Sequence, residues 1–476
     1  MRNLTMLIDF YELTMANSYY VHNKNELASF DLFFRDNPDK GGYAVMAGLE
    51  QVIQYIQELE FSKGDIEFLR KKGIFDEGFL KYLENFKFTG TIHAVKEGTP
   101  IFPREPILTV VGPIIQCQII ETMLLLTINH QSLIATKTAR IVSAAKGRSV
   151  MEFGSRRAQG YDAANFGARA AYIAGAVGSA NTFTDRVYHI PALGTMAHSY
   201  VQSFDQEYDA FLAYAKTYPD NSIFLVDTYS TLQSGIPNAI KVAKEYLIPN
   251  GYRLKGIRID SGDLTYLSKE ARHLLDEAGL HDCKITVSNS LDEYLIQELI
   301  RQGAQIDSFG VGERLITSKS DSVFGGVYKL GALMENGKWT PKMKLSDNVE
   351  KTTIPGIKGL YRFYQDGKAI ADVVTLKDEV IDESKPYLLF DSNFPWKNKL
   401  VKNFKAVQLL EPIFIEGQLV YKKPSLEEIR VYHKEQMETL WDEVKRFEFP
   451  HRYYVDLSKP LWDLKESLLD SYSKDF

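Results

Sequence analysis

A chain of 476 residues, 45% of them hydrophobic and 25% charged, has the texture of a soluble globular protein and the length of about two or three domains. Its net charge of −6 argues against a nucleic-acid binder held by diffuse positive charge, and two cysteines, Cys117 and Cys283, are too few for a disulfide framework and fit a reducing cytoplasm. Met1 to Phe10 lacks an apolar core long enough for a signal peptide, and runs such as Met123 to Ile128 fall far short of the roughly 20 residues that cross a bilayer, so no membrane role is expected.

Apolar residues at helical spacing predict a helix over Ile8 to Tyr20, and Phe30 to Phe34 reads as a short strand before the turn Asn37-Pro38-Asp39-Lys40-Gly41-Gly42. Leu49 to Leu59 is helical by periodicity. Thr89 to Gly112 alternates and carries Gly98, Pro100, Pro103 and Pro106, so it predicts β-structure with turns. Ile114 to Ala145 predicts two helices broken near Asn129. From about 146 to 335 short apolar runs alternate with helical stretches, and strands are expected near 149, 182, 190, 223, 256, 285, 307 and 326. Such continuous apolar runs suit parallel strands buried on both faces, and their number suggests an irregular (β/α) barrel. Asp263 to Gly279 is amphipathic, and Ser290-x-x-Glu293 reads as a capping box for a helix that Gly303 would end. Between 340 and 420 the pattern returns to β-like pieces (Ala369 to Thr375, Tyr387 to Phe390, Val407 to Leu410), and Ser425 to Phe447 predicts a charged amphipathic helix. The expected layout is an N-terminal α+β part over 1–130, an α/β barrel over 131–340, a returning β-rich part over 341–420 and a helical segment over 421–476, with both chain ends building one domain around the barrel.

Polar residues gather where the apolar runs end, as on the C-terminal face of an α/β sheet or barrel. Ile190 to Leu193, read as a buried strand, leads into Gly194-Thr195-Met196-Ala197-His198-Ser199. An imidazole there suits acid–base, metal or nucleophilic work, or is a satisfied buried histidine. Met151-Glu152-Phe153-Gly154-Ser155 leads into Arg156-Arg157, and Phe224-Leu225-Val226 into Asp227-Thr228. Ile257-Arg258-Ile259 leads into Asp260-Ser261-Gly262-Asp263, whose N–H groups and hydroxyl suit an anion and whose carboxylates suit Mg²⁺ or ribose hydroxyls; the plainer reading is a helix N-cap. Arg258, flanked by two isoleucines, is costly to bury unpaired and calls for an anionic ligand or an internal partner, Asp260 or Asp227. Ser288-Asn289 ends another run, and Gly310-x-Gly312 and Gly325-Gly326 let backbone N–H groups approach a phosphate, or simply make tight turns. Neither a P-loop nor a Rossmann fingerprint occurs, and no His-x-x-x-His or Cys-x-x-Cys spacing points to zinc.

Read in order, these segments resemble the nicotinate phosphoribosyltransferase family. The likeness is carried by Asp9-Phe10-Tyr11-Glu12-Leu13-Thr14-Met15, Phe30-Asp31-Leu32-Phe33-Phe34-Arg35, Gly42-Tyr43-Ala44-Val45-Met46-Ala47-Gly48-Leu49 and Glu152-Phe153-Gly154-Ser155-Arg156-Arg157-Ala158-Gln159-Gly160. It continues through Gly194-Thr195-x-Ala197-His198-Ser199, Asp227-Thr228-Tyr229, Arg258-x-Asp260-Ser261-Gly262-Asp263-Leu264, Ser288-Asn289 and Gly325-Gly326-Val327-Tyr328-Lys329-Leu330. The resemblance implies a type II phosphoribosyltransferase-like fold, an irregular α/β barrel with a second α+β domain made from both chain ends. It implies that nicotinate and phosphoribosyl pyrophosphate give nicotinate mononucleotide and pyrophosphate, with ATP as co-substrate and Mg²⁺ as cofactor. It gives His198 the role of a phosphorylated histidine, with Arg156 and Arg157 as further catalytic residues. Tyr11, reaching in from a neighbouring subunit of a homodimer, would stack on the nicotinate ring, with Thr195, Arg258 and Arg157 as other nicotinate contacts. Asp260, Ser261, Gly262, Ser288, Asn289, Gly310, Gly312 and Glu313 would form the phosphate and phosphoribosyl site. The ligands of Mg²⁺ are not assigned. Glu313 stands where the family usually has a hydroxyl; a carboxylate beside a phosphate is repulsive unless a metal or an arginine intervenes, and Arg314 is adjacent.

Three related chemistries compete. Nicotinamide phosphoribosyltransferases place Asp where this chain has Ala180, in Gly178-Ser179-Ala180-Asn181-Thr182; a carboxylate there would repel nicotinate, so its absence favours an anionic ring. Quinolinate phosphoribosyltransferases are shorter and need a second basic pocket. Nucleotide-salvage enzymes carry two adjacent acids in a strand-end loop, whereas Phe224 to Ser230 holds only Asp227. A different class of reading is a catalytically silent nucleotide-binding scaffold.

Overall fold

The computed structural model describes residues 3–345 and 352–474, and the chain divides into two compact units, residues 134–322 and residues 1–133 with 323–476. Residues 346–351, within the stretch read as β-rich, lie outside the described residues.

The unit 134–322 is built on five parallel strands, β1 (Ser149–Glu152), β2 (Ile223–Leu225), β3 (Gly256–Ile259), β4 (Lys284–Ser288) and β5 (Ser308–Val311), in the spatial order β1-β5-β4-β3-β2. Val150, Phe224, Leu225, Ile257, Ile259, Ile285, Val287, Phe309 and Val311 are all buried, which is why these strands read as unbroken apolar runs: helices cover both faces of a parallel sheet. Two single-residue parallel bridges, Glu152 with Ser179 and Ser179 with Ala192, carry the sheet past β1.

Those bridges correct two expected strands. Thr182–Tyr188 is a helix despite its β-branched and aromatic residues, because the Asn181 side chain caps it by accepting the Phe183 N–H at 3.1 Å. Ile190 to Leu193 is not a buried strand: Pro191 has no N–H to give a ladder, so pairing shrinks to Ala192, and Pro191 and Ala192 are exposed. The strand expected near 326 exists, Gly326–Glu335, but in the other unit, antiparallel to Leu27–Phe34. A Cβ on Gly326 would lie 2.1 Å from Asn129 Oδ1, so this glycine serves close packing within that unit.

Helix Leu264–Glu277 is capped by Asp263, whose side chain accepts the Tyr266 N–H at 3.0 Å. Helix Glu293–Arg301 is capped by Asp292 and not by Ser290; Asp292 accepts the Leu295 N–H at 2.8 Å, while Ser290 sits at a left-handed φ of 51°. Gly303 follows that helix at φ 77°. The break expected at Asn129 falls at Ile120, between helices Ile114–Ile119 and Glu121–Ala144; no Gly or Pro near Asn129 interrupts the longer one.

The other unit interleaves both halves of its chain. Its seven-stranded sheet runs Lys338–Pro341, Gly326–Glu335, Leu27–Phe34, Leu108–Pro113, Thr91–Ala94, Glu411–Ile415 and Gln418–Leu419. A four-stranded sheet of Lys405–Gln408, Lys358–Gln365, Lys368–Leu376 and Val455–Leu457 encloses the buried pair Arg362–Asp372, 2.6 Å apart. The C-terminal region is less helical than expected. Helix Leu426–Thr439, opened by the Ser425/Glu428 capping box, stops at Leu440, which is buried and extended, and a second helix spans Lys459–Lys474. No helix of the described residues is long and apolar enough to cross a membrane.

Candidate active site

Every barrel strand hands its last residues to one cluster. After β1 the chain turns at Gly154 into the short turn Ser155–Arg157, leaving Arg156 and Arg157 exposed. A Cβ on Gly154 would lie 2.6 Å from Ile316 Cβ and 2.7 Å from the Gly312 carbonyl oxygen. Only glycine lets the loop after β1 close on the loop after β5. Gly310 is packed as tightly, its would-be Cβ 2.5 Å from the Phe153 ring.

His198 opens the short helix His198–Gln202 and is part-exposed. Its Nδ1 lies 3.1 Å from Thr228 Oγ1, at the end of β2, and its Nε2 lies 3.8 Å from Asp260 Oδ2, at the end of β3. Asp260 is fixed in turn: the Ser288 hydroxyl donates to its Oδ1, and its backbone N–H donates to Asp227 Oδ2 at 2.9 Å. Ser261 Oγ donates to the same Asp227 oxygen at 2.6 Å, while Asp227 Oδ1 is buried without a partner. Imidazole, threonine, two serines and two aspartates thus form one connected network, held from three strands.

Arg258 projects from β3, and its Nη1 donates to Thr195 Oγ1 at 2.7 Å. Its Nε is buried without a partner. Burial pulls its pKa below the usual arginine range, Asp260 and Asp227 push it back up, and Arg156 pushes it down. The guanidinium is therefore desolvated and only partly matched, a state that favours an arriving anion.

Asn289 and Ser290, after β4, both adopt left-handed backbone at φ 90° and 51°, a strain that clusters at functional loops. Gly312 precedes the short helix Glu313–Ile316. The charge of Glu313 is answered by Lys319 at 2.7 Å, which lowers its pKa, and not chiefly by Arg314, whose guanidinium is engaged with Asp292. Gly262, with φ 81°, turns the chain from β3 into its helix.

The structure thus brings Arg156, Arg157, Thr195, His198, Arg258, Asp260, Ser261, Gly262, Ser288, Asn289, Gly310, Gly312 and Glu313 to the ends of the barrel segments. Gly326 opens strand Gly326–Glu335 of the other unit, and Tyr11 stands half-exposed on helix Phe10–Val21 of that same unit. Thr228, Ser179, Glu152 and Lys319 carry contacts that sequence reasoning gave no role. Thr228 was legible by the strand-end rule, and Glu152 by being a carboxylate inside an apolar run.

Among the described residues no group of three or more His, Cys, Asp or Glu is placed to hold a metal ion. Mg²⁺, however, needs only one or two carboxylates when substrate oxygens complete its octahedron. The unpartnered Asp227 Oδ1 and the adjacent Asp260 fit that requirement.

Comparison with known proteins places this geometry. A nicotinate phosphoribosyltransferase family model matches residues 148–384, and models of that enzyme's N-terminal and C-terminal domains match residues 6–129 and 357–465. The nicotinate phosphoribosyltransferase of Bacillus subtilis (strain 168) is 44% identical over 470 residues, 97% of this chain and 94% of that one. The chain belongs to the nicotinate phosphoribosyltransferase family. A relative in Dictyostelium discoideum is 35% identical over 98% of this chain and 88% of its own. The crystal structure of human nicotinic acid phosphoribosyltransferase superposes with a TM-score of 0.86 at 30% identity, covering 97% of this chain and 99% of that one. That of nicotinate-nucleotide pyrophosphorylase from Pyrococcus furiosus gives 0.70 at 25% identity, covering 92% and 96%. The family's fold is therefore the irregular α/β barrel with an α+β domain drawn from both ends of the chain.

Proposed function

We propose that the protein joins nicotinate to phosphoribosyl pyrophosphate, releasing pyrophosphate, with ATP hydrolysis proceeding through a phosphorylated His198. The observation that carries this reading is the pairing of a half-matched, part-buried cation with a tethered imidazole: Arg258 with its buried, unpartnered Nε, and His198 held between Thr228 and Asp260.

In the transfer, the pyridine nitrogen forms a bond to the anomeric carbon as the bond to the pyrophosphate oxygen breaks. The leaving group takes the electron pair through an oxocarbenium-like state. The enzyme's task is to position two anions and spread the charge that develops. Arg258 and Thr195 orient the ring carboxylate, with the Gly178–Thr182 stretch lining the ring and presenting no carboxylate at Ala180. Arg156, Arg157 and the N–H groups around Gly310, Gly312 and Ser261–Gly262 receive the phosphoribosyl group, with Asp260, Ser288 and Asn289 beside them. Lys319 neutralises Glu313 next to the phosphate loop. Mg²⁺ bound with the substrate phosphates at Asp227 and Asp260 would supply charge neutralisation to the leaving group.

His198 accepts the γ-phosphoryl group of ATP on a ring nitrogen, leaving ADP; water then breaks the nitrogen–phosphorus bond to give phosphate. While present, the added anion beside Asp260 biases how the site holds pyrophosphate. A homodimer in which Tyr11 of one copy stacks on the ring bound by the other completes the reading, and the two free, buried cysteines suit a reducing cytoplasm.

The test is a product assay for the mononucleotide with nicotinate or nicotinamide, with and without ATP, alongside transfer of labelled phosphate from ATP to the protein. Expected are a preference for nicotinate, stimulation by ATP and an acid-labile label that His198→Ala abolishes. Label persisting in that variant removes His198 from the central role.

A further inference from the structure

Glu152 ends β1 with its side chain fully buried, and the ring and sugar contacts of the preceding section account for neither of its oxygens. One accepts the backbone N–H of Gly154, the first residue of the turn that carries Arg156 and Arg157. The other accepts the Ser179 hydroxyl at 2.6 Å. Ser179 Oγ in turn accepts the Asn181 N–H at 3.0 Å, and the Asn181 side chain both caps the next helix and donates to Asn165 at 2.8 Å. The backbone of the same residue is engaged on both sides: the Glu152 N–H donates to Gly178 and its carbonyl accepts from Ala180. Three backbone hydrogen bonds join these segments, from Val177 to Val150, Glu152 to Gly178 and Ala180 to Glu152, and none of the three reaches the turn at 154–157. The carboxylate reaches past the strand end and supplies what the ladder lacks.

We propose that Glu152 is a positioning residue for the transfer, a clasp whose two oxygens fix the arginine turn at 154–157 against the loop 179–181. This rests on the proposed reading, in which the first segment receives the phosphoribosyl group and the second lines the pyridine. The clasp then sets how far apart the two reacting groups stand, a spacing to which such reactions are steeply sensitive. Gly154 extends the effect, because it also packs on Gly312 with no room for a side chain.

Glutamine at this position keeps the volume and one acceptor. With the amide oxygen on the Gly154 N–H, the NH₂ meets Ser179 Oγ as a donor, the Ser179 O–H loses its acceptor and both bonds lose the carboxylate's charge; with the amide turned, the NH₂ opposes the Gly154 N–H. The experiment compares wild type, Glu152→Gln, Ser179→Ala and the double variant by amide hydrogen exchange and steady-state kinetics in the full chain. Glu152→Gln is expected to speed exchange about tenfold in both 154–158 and 179–184, leaving helix Leu264–Glu277 unchanged. The double variant is expected to match Glu152→Gln, since both substitutions open one clasp. In the product assay kcat falls about tenfold while KM rises for both nicotinate and phosphoribosyl pyrophosphate. Faster exchange in one loop only, strictly additive effects, or a lowered Tm with faster exchange throughout the barrel would each overturn the proposal. If wild type forms no mononucleotide, the functional reading fails by that result alone, and without a reaction to position for, the proposed role falls with it; the exchange data then report on the clasp only as a structural tie.

Discussion

Replacing Arg258 with glutamine separates a ligand-binding cation from a structural one. The side chain leaves the middle of β3 between two buried isoleucines, donates one hydrogen bond to Thr195 at 2.7 Å and keeps a buried Nε without a partner. Its desolvation is already incurred in the folded protein, so a carboxylate that docks there gains a charge-assisted bond at little further cost. Such bonds contribute about 1.5–3 kcal/mol, which is roughly tenfold to a hundredfold in kcat/KM. Arg258→Gln is expected to lower kcat/KM for nicotinate by that factor and to change the KM for ATP little. Stability should hold or rise, because a poorly matched, part-buried cation is removed. Steady-state kinetics with each substrate varied, together with thermal unfolding, reads all three. An unchanged kcat/KM for nicotinate combined with a clear drop in Tm would refute the reasoning, since Arg258 would then be a structural partner of Asp260 and Asp227.

Two further outcomes follow from particular contacts. Gly154→Ala places a Cβ 2.6 Å from Ile316 Cβ. Overpacking of this kind costs about 1–3 kcal/mol, so Tm should fall and the KM for phosphoribosyl pyrophosphate should rise as the loops after β1 and β5 part; a variant with wild-type values for both contradicts the packing argument. Glu12 is buried, and its pKa is raised from 4.5 to about 8, first by burial and then by Glu121 and Asp9, against the opposing hydrogen bond from Thr122 at 2.8 Å. A carboxyl whose folded pKa lies above its unfolded value lends stability below about 4.5 and loses it as pH rises through about 8. Thermal unfolding should therefore show a steeper decline in Tm from pH 5 to 8.5 for wild type than for Glu12→Gln. Coincident slopes would mean that Glu12 does not titrate in the folded protein.

The barrel strands were readable because parallel strands buried on both faces leave continuous apolar runs, and the polar ends of those runs named Asp260, Ser288 and Gly312, whereas His198 was named from Ile190 to Leu193, a run that is not a buried strand. Short-range chemistry was less dependable where two readings were locally equivalent. Thr182–Tyr188 has strand-like residues but a helix cap in Asn181, and Ser290 and Asp292 both suit a cap before the same helix. Composition and spacing by themselves determined the α/β class and the order of the motifs, because these depend on periodicity and residue type along the chain; the family came from the resemblance of the motif residues to a known one. Tertiary structure alone decided which residues meet. It gave His198 its neighbours Thr228 and Asp260, gave Glu313 to Lys319, placed Gly326 at the start of a strand in the other unit, and made a clasp of Glu152. Hydrogen bonds and packing contacts between strand ends are set by how the strands lie side by side, and that order, β1-β5-β4-β3-β2, is not the order of the sequence.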